Sequence, residues 1–306
     1  MNKTVINIAD TFIDIIVASK QKPQFGQVEL LADSYNIELG GSGAIFTSQF
    51  AKLGGDIICL TIIGDDTSGN IIKKRMNDIG INTEYIQTSK QNKTPLGLNI
   101  SVNNDRAMLT VLGVLEEITI NIITEEIINK ARHWHIAGYF LLDNLIPAWP
   151  EFLKRIKQKG ITCSLDTNWA PNGNWEQVIE LFPFIDVFLP NENEAIAITG
   201  KSNYQEAGKE LSQQIPFVVI KRGADGASVF QKGEEIPILI KEVWSAPINV
   251  IDTTGAGDSF DAGFLYEWLN EKDIKTCLKT AILCGTSCVQ ELGGIKGPVS
   301  YTHLTL

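Results

Sequence analysis

The chain has 306 residues, enough for one large α/β domain or two small ones with a sizeable core. It is 44% hydrophobic and 20% charged, and its net charge of −10 argues against a nucleic-acid partner or an anionic membrane surface while leaving local phosphate binding open. No apolar run approaches the ~20 residues of a membrane span, and none of the five cysteines (Cys59, Cys163, Cys277, Cys284, Cys288) forms a Cys-x-x-Cys pair.

The expectation is therefore a cytoplasmic protein with free, buried thiols. The apolar N-terminal stretch lacks a basic start and is broken by Asp10 and Asp14, which does not suit a signal peptide.

Residues 5–9 form a short apolar run ending at Asp10 and predict a buried strand. Residues 28–38 are β-prone and end at Gly40, Gly41, Ser42 and Gly43, which open a helix carrying Ala44, Phe46, Phe50, Ala51 and Leu53. Residues 57–63 predict a second buried strand, followed by a helix over 68–79. Residues 96–112 read as β ribbon with turn chemistry at Asn103, Asn104 and Asp105.

Helix and strand signals then alternate. A helix ends near Arg132, and residues 134–142 read as a strand. Pro147 opens a helix that Gly160 closes. Residues 161–165 predict a strand ending at Asp166, Thr167 and Asn168. Residues 184–189 predict another, ending at Asn191 and Glu194, and 217–220 a third, ending at Lys221, Arg222 and Gly223. Residues 227–240 read as a hairpin turning at Lys232 and Gly233, and a last helix spans 274–290, with Cys284 and Cys288 on one face.

Short apolar strands alternating with helices imply an α/β fold: a doubly wound, mostly parallel sheet covered on both faces. Asp166, Asn168, Asn191, Glu194 and Lys221 cluster just past strand C-termini, the edge where open α/β sheets bind ligands. The β-prone stretches at 11–40 and 96–112 break the alternation and predict a small separate sheet acting as a lid.

The most informative stretch is 251–264. Gly255 and Gly257 permit unusual backbone angles, and Phe260, Phe264, Leu265, Trp268 and Leu269 repeat at helical spacing immediately afterwards. A nest of N–H groups at Gly255, Ala256 and Gly257 on a helix N-terminus is an anion site. Asp258 would repel that anion, so its functional reading is proton acceptance from a hydroxyl. Alone, the stretch is equally a structural turn with an Asp favouring the helix dipole.

Two other glycine patterns do not carry nucleotide chemistry. A dinucleotide fingerprint from Gly255 and Gly257 would need glycine where Phe260 stands. A phosphate loop at Gly200, Lys201 and Ser202 would need glycine at Ala195, so Gly200 reads as a helix C-cap. His133 and His135 lack metal-like partners and read as packing residues.

Gly40-Gly41, Asn191-x-x-Glu194, Gly223-x-x-Gly226 and the stretch from Asp252 to Asp258 occur in that order. Together they resemble the ribokinase-like, PfkB-type carbohydrate kinases over about residues 3–298. The resemblance implies one ribokinase-like kinase domain over 1–298. It also implies transfer of the γ-phosphoryl group of ATP to a carbohydrate hydroxyl, with Asp258 as catalytic base and Gly255, Ala256 and Gly257 as anion hole.

It further implies sugar contacts from Asp14, Gly40 and Gly41. Asn191, Glu194, Lys221, Gly223 and Gly226 would lie at the nucleotide, with Glu194 on Mg²⁺ through water. Asp252 and the Thr254 carbonyl would hold K⁺, and the lid suggests a homodimer formed by lid pairing.

Several positions depart from the family pattern. Ile45 stands where many members carry a substrate-contacting Asn. Asp166-Thr167-Asn168-Trp169-Ala170 lacks the Arg of ketodeoxygluconate kinases and some fructokinases, which argues against a sugar acid. Arg106 in the lid reads as a solvated turn residue, and 299–306 resembles adapter read-through. Two alternatives stand beside the sugar kinase. One is a nucleoside kinase, which would need an aromatic base platform from Phe12, Phe25 or Tyr35. The other is a non-catalytic sugar- or nucleotide-binding regulatory protein.

Overall fold

Strand β1 (Thr4–Ile8) sends alternate side chains into two different cores. Val5 joins an apolar cluster with Phe46, Phe50, Phe264 and Leu278, whereas Ile6 and Ile8 join another with Trp134, Phe152 and Ile156. A strand buried on both faces reads as a mostly apolar run, and the one polar interruption, Asn7, is buried with its amide donating to the Gly43 carbonyl and the Thr47 hydroxyl.

The computed structural model describes residues 4–102 and 105–297. The expected turn at Asn103 and Asn104, the Arg106 side chain and the 299–306 tail lie outside what is described.

After β1 come β2 (Phe12–Ala18), β3 (Ser34–Gly40), α1 (Ser42–Lys52), β4 (Ile57–Gly64), α2 (Thr67–Asp78), β5 (Ile86–Ser89), β6 (Leu96–Val102) and β7 (Asp105–Val111). The second half runs α3 (Glu125–Lys130), β8 (Ala131–Ile136), α4 (Trp149–Gln158), β9 (Thr162–Leu165), α5 (Glu176–Ile179), β10 (Val187–Phe188), α6 (Glu192–Thr199) and α7 (Tyr204–Leu211). It continues through β11 (Phe217–Lys221), β12 (Ala227–Gln231), β13 (Glu234–Ile238), α8 (Ala256–Leu269) and α9 (Ile274–Cys288).

The large sheet has the order β13-β12-β11-β10-β9-β8-β1-β4-β5. It is parallel except for the β11–β12–β13 meander. From β1 the chain first builds outward through β4 and β5, then returns to the other side of β1 at β8. That reversal leaves a crevice beyond the C-terminal ends of β1 and β8. Helices α1, α8 and α9 cover one face and α3, α4 and α7 the other. The small sheet has the order β3-β2-β6-β7. It rests on α1 and α2 through Ile13, Leu39, Ile45, Ile72 and Met76. No helix among the described residues is long and apolar enough to cross a membrane.

The expected elements shift at four places. In the β-prone 28–38 region the strand begins only at Ser34, and it runs on to Gly40. The strand expected over 134–142 is Ala131–Ile136, because Gly138, at φ 63°, turns the chain into a 3₁₀ turn over Tyr139–Leu141. Pro147 lies in a 3₁₀ turn rather than opening α4, which begins two residues later. The strand expected over 184–189 shrinks to two residues, because Pro183 belongs to a 3₁₀ turn over Phe182–Phe184. The hairpin turns where expected, with Lys232 at φ 51° and Gly233 at φ 84°, as a two-residue primed turn requires. Gly200 caps α6 at φ 69°. All five cysteines are free and buried, and His133 and His135 are core residues hydrogen-bonded to Thr162 and Ser164.

Candidate active site

Helix α8 starts without a side-chain cap; its N-cap is Gly255, at φ 76°. A Cβ there would lie 2.8 Å from the Gly294 Cα and 2.9 Å from the Ile45 Cδ1, so glycine is needed for conformation and for space. The helical ladder begins with the Ser259 N–H on the Gly255 carbonyl at 2.9 Å, which leaves the Gly257 and Asp258 N–H groups ahead of it. The Ala256 N–H turns back to the Thr253 carbonyl at 3.3 Å, so it contributes less to the nest than its position implied.

Ile45, which stood out as a departure in the substrate pocket, has a packing role. It is buried, and its side chain fills the gap between Gly255 and Gly294.

Asp258 projects from the first turn of α8 and receives a hydrogen bond from the Ser42 hydroxyl. Ser42 is fixed in turn by the Asn168 amide, whose Nδ2 donates to Ser42 Oγ at 2.8 Å while its Oδ1 accepts from the Gly138 N–H at 3.2 Å. Asn168 adopts φ 59°, a left-handed conformation that Asn tolerates better than most residues. Burial pushes the Asp258 carboxyl well above the ordinary carboxylate range, and the charges of Asp166 and Asp10 add to this while Lys221 opposes it. Ser42 and Asn168 carry no distinctive sequence signal as partners, because 126 positions separate them.

Lys221, expected at the nucleotide, lines the cavity beside the nest, and its ammonium is held in a buried ion cluster. Nζ lies 2.9 Å from Asp166 Oδ2 and 3.1 Å from Asp261 Oδ2. Burial raises the Asp261 carboxyl well above its usual range, whereas Asp166, despite burial, is held below its range by Lys221 and by a hydrogen bond from Asp261. The ammonium between the two carboxyls offsets their charge in the interior.

A Cβ at Gly257 would lie 3.5 Å from Lys221 Nζ, so the ammonium sits directly behind the backbone of the nest. Arg222 stacks over the Tyr204 ring at 4.4 Å and faces Glu192 at 3.6 Å.

Asn191 and Glu194 form a reciprocal capping box at the start of α6: the Asn191 N–H donates to Glu194 Oε2 at 2.8 Å, and the Glu194 N–H to Asn191 Oδ1 at 3.0 Å. Glu194 is only 4% exposed. Burial and the nearby Asp166 raise its carboxyl, with Lys221 opposing.

Beside the nest is a cavity of about 580 Å³, walled by Gly223, Gly226, Ile240, Val250, Phe260 and Ile282 among others. Gly226, at φ 94°, leaves no room for a side chain, since a Cβ would lie 2.1 Å from the Ile238 carbonyl oxygen. The two glycines were legible in the sequence. The apolar wall was not, because Ile240, Val250 and Ile282 look like any core residues.

On the lid side, Asp14 lies over two glycines of the flanking strands: a Cβ at Gly40 or Gly97 would come within 2.1 or 2.2 Å of its carboxylate oxygens. Gly41, at φ 96°, passes so close to the segment joining β1 and β2 that a Cβ would lie 2.0 Å from the Asp10 carbonyl oxygen. Gly40 and Gly41 therefore have structural duties of their own.

Asp10, which the sequence did not single out for the site, caps α1 from another element by accepting from Gly43 N–H at 2.6 Å and Ser42 N–H at 3.1 Å. Burial pushes its carboxyl up to about 7. Phe12 is buried, which removes it as a base platform, while Phe25 and Tyr35 are exposed.

Asp252 and Thr254, expected at a potassium site, are already engaged by the protein's own donors. Both Asp252 carboxylate oxygens accept backbone N–H groups, from Thr254 at 2.9 Å and Gly293 at 3.0 Å. The Thr254 carbonyl accepts the Cys288 thiol at 3.3 Å.

Residues 2–300 match the family described as pfkB family carbohydrate kinase. Among curated relatives, a ribokinase of Arabidopsis thaliana is 28% identical over 299 residues, covering 92% of this chain and 75% of its own. An adenosine kinase of Dictyostelium discoideum is 25% identical, covering 91% of this chain and 86% of its own. A solved structure, a putative ribokinase II from E. coli in complex with ATP and Mg²⁺, superposes with a TM-score of 0.85 at 23% identity, covering 99% of this chain and 98% of that one. The last likeness establishes the ribokinase fold.

Proposed function

Given that the chain belongs to the pfkB family of carbohydrate kinases, phosphotransferases with an alcohol acceptor, we propose that it transfers the γ-phosphoryl group of ATP to a sugar hydroxyl. The observation that carries this reading is the placement of Asp258. Its carboxyl stands on the first turn of an uncapped helix, is held by Ser42 and lies next to the cavity that Ala256 and Gly257 line.

The nucleotide occupies the 580 Å³ cavity, its base against the apolar wall and its phosphates toward the nest. The backbone of the turn from Gly255 to Gly257, chiefly the Gly257 and Asp258 N–H groups that the helical ladder leaves open, stabilises charge on the transferring group and is backed by the Lys221 ammonium. Asp14 and the start of α1 face the acceptor, and Asp258 takes the proton of the attacking hydroxyl. Its raised carboxyl makes it a stronger base once ionised.

Mg²⁺ fits the donor set, which is oxygen-only. Glu194 and Asp166 would hold it through water, because Mg²⁺ keeps several of its waters when bound. When bound, it would offset negative charge on the phosphates. Similarity to an adenosine kinase keeps a nucleoside acceptor as the second reading.

The test is ADP release over a panel of aldoses, ketoses and nucleosides, with Asp258→Asn as control. A sugar-dependent rate that disappears in the control supports the proposal. Hydrolysis of ATP that is fast without any acceptor would overturn it.

A further inference from the structure

Behind the nest, the segment Gly293, Gly294, Ile295 is fastened at each residue. The Gly293 N–H donates to Asp252 Oδ2 at 3.0 Å, the Cys288 thiol reaches the Gly294 carbonyl at 3.5 Å as well as the Thr254 carbonyl, and the Lys52 ammonium donates to the Ile295 carbonyl. The nearby Val289 carbonyl accepts two N–H groups, from Ile251 at 2.8 Å and Asp252 at 3.3 Å.

Carbonyls and a carboxylate gathered behind an anion nest make a seat for a monovalent cation, yet the protein's own donors already reach them: the Asp252 carboxylate and the Val289 and Ile295 carbonyls each accept a hydrogen bond, and the single Cys288 S–H lies between the Thr254 and Gly294 carbonyls and serves one of them at a time. One of those donors, Lys52, is itself a cation. Burial pushes the Cys288 thiol up to about 11, so at neutral pH it is an S–H donor rather than a thiolate.

We infer that this kinase is built to work without a monovalent cation: the Lys52 ammonium and the Cys288 thiol do the work that K⁺ would do at this seat, and Lys52 is a positioning residue for the turn from Gly255 to Asp258. The link to that turn is steric. Gly294 packs against Gly255 and Ile45, so whatever fixes the 293–295 segment fixes the back of the nest. The Lys52 stem reaches this segment from the C-terminal end of α1, while the N-terminal end of the same helix carries Ser42 on Asp258. One helix thus braces the nest from behind and the base from in front.

The inference rests on the kinase reading of the nest, and the experiment separates the two. Thermal denaturation of the full chain is compared in choline, sodium and potassium chloride at equal ionic strength, for the wild type and for Lys52→Met. The same proteins are assayed for ADP release with whichever panel sugar is accepted.

The wild type should melt at the same temperature in all three salts and turn over at rates within about twofold. Lys52→Met should lose at least about tenfold in turnover in choline, with little change in KM for the sugar, and potassium should restore much of it. Wild-type activation by potassium of about tenfold or more, or a melting temperature raised by potassium specifically, overturns the inference. So does a Lys52→Met protein as active in choline as the wild type, or one whose loss potassium does not restore. If Lys52→Met does not fold, Lys52→Gln and Lys52→Arg take its place, and Arg should behave as wild type. If no sugar is phosphorylated, the kinase reading fails while the melting comparison still decides the cation question.

Discussion

On the proposed reading, the phosphate half and the acceptor half of the crevice are built in opposite ways. The phosphate half is made of backbone and buried charge: an αL glycine, an uncapped helix start, and a Lys221 ammonium between two carboxyls, one of them wholly buried. The acceptor half is a four-stranded sheet whose exposed side chains include Tyr35, Met108, Leu109 and Val111. Handling a phosphoryl group calls for fixed dipoles that need no reorganisation at the moment of transfer. Handling an acceptor calls for a surface that can open and close. The first requirement tolerates little variation in sequence and the second tolerates a great deal.

Four substitutions and one pH profile would break or sharpen that contrast. The largest effect belongs to Asp258→Asn, which should lower kcat by about 10²–10⁴-fold while leaving ATP affinity and melting temperature nearly unchanged. The wild-type pH profile belongs with it. Because burial, Asp166 and Asp10 raise the Asp258 carboxyl, and the base must be ionised, the rate should climb with pH through a midpoint above the ordinary carboxylate range. A flat acid limb down to the usual carboxylate region would show that another group accepts the proton.

Next comes Lys221→Met, which strands the Asp166 and Asp261 carboxyls in the interior and should cost about 3–5 kcal/mol of stability in denaturant titration. A loss below about 1 kcal/mol would mean the cluster is far better solvated than its burial indicates.

On the acceptor side, Gly97→Val should push the Asp14 carboxylate off its glycine floor. The expected result is a KM for the acceptor raised by about tenfold with the KM for ATP unchanged; equal changes in both would deny the division of labour.

The smallest effect is Asp10→Asn. In the folded chain burial raises the Asp10 carboxyl from 3.8 to about 7, so the folded state holds this proton more tightly than the unfolded chain does. Its contribution to stability is complete below about pH 4 and is lost as pH rises through 7. The Asn variant should therefore show a flatter dependence of melting temperature on pH between those limits.

The sequence made the phosphate half legible and the connections within it illegible. The turn from Asp252 to Asp258 announces itself by glycine spacing followed by a helical apolar face. The strands announce themselves by length and apolar run, and the polar residues at their ends mark the ligand edge. What joins them depends on register. Lys221 meets Asp166 across 55 positions and Asp261 across 40, and only the arrangement of β9 and β11 on either side of the short β10 brings them together. Asp261 reads as one more helical residue after the motif. Ile45 read as a change in the substrate pocket because nothing local shows that two glycines, at 255 and 294, leave a hole of its shape.

One join in the chain has a mechanical consequence. Strand β3 ends at Gly40 and helix α1 starts at Ser42, with the single residue Gly41 between them and pressed against the Asp10 carbonyl just after β1. So short a join leaves little slack to absorb a tilt of the small sheet. On the proposed reading, with Asp258 as the base, such a tilt would be passed to the first turn of α1 beside Asp258, and the position of the small sheet would be geared to the alignment of the base through one residue.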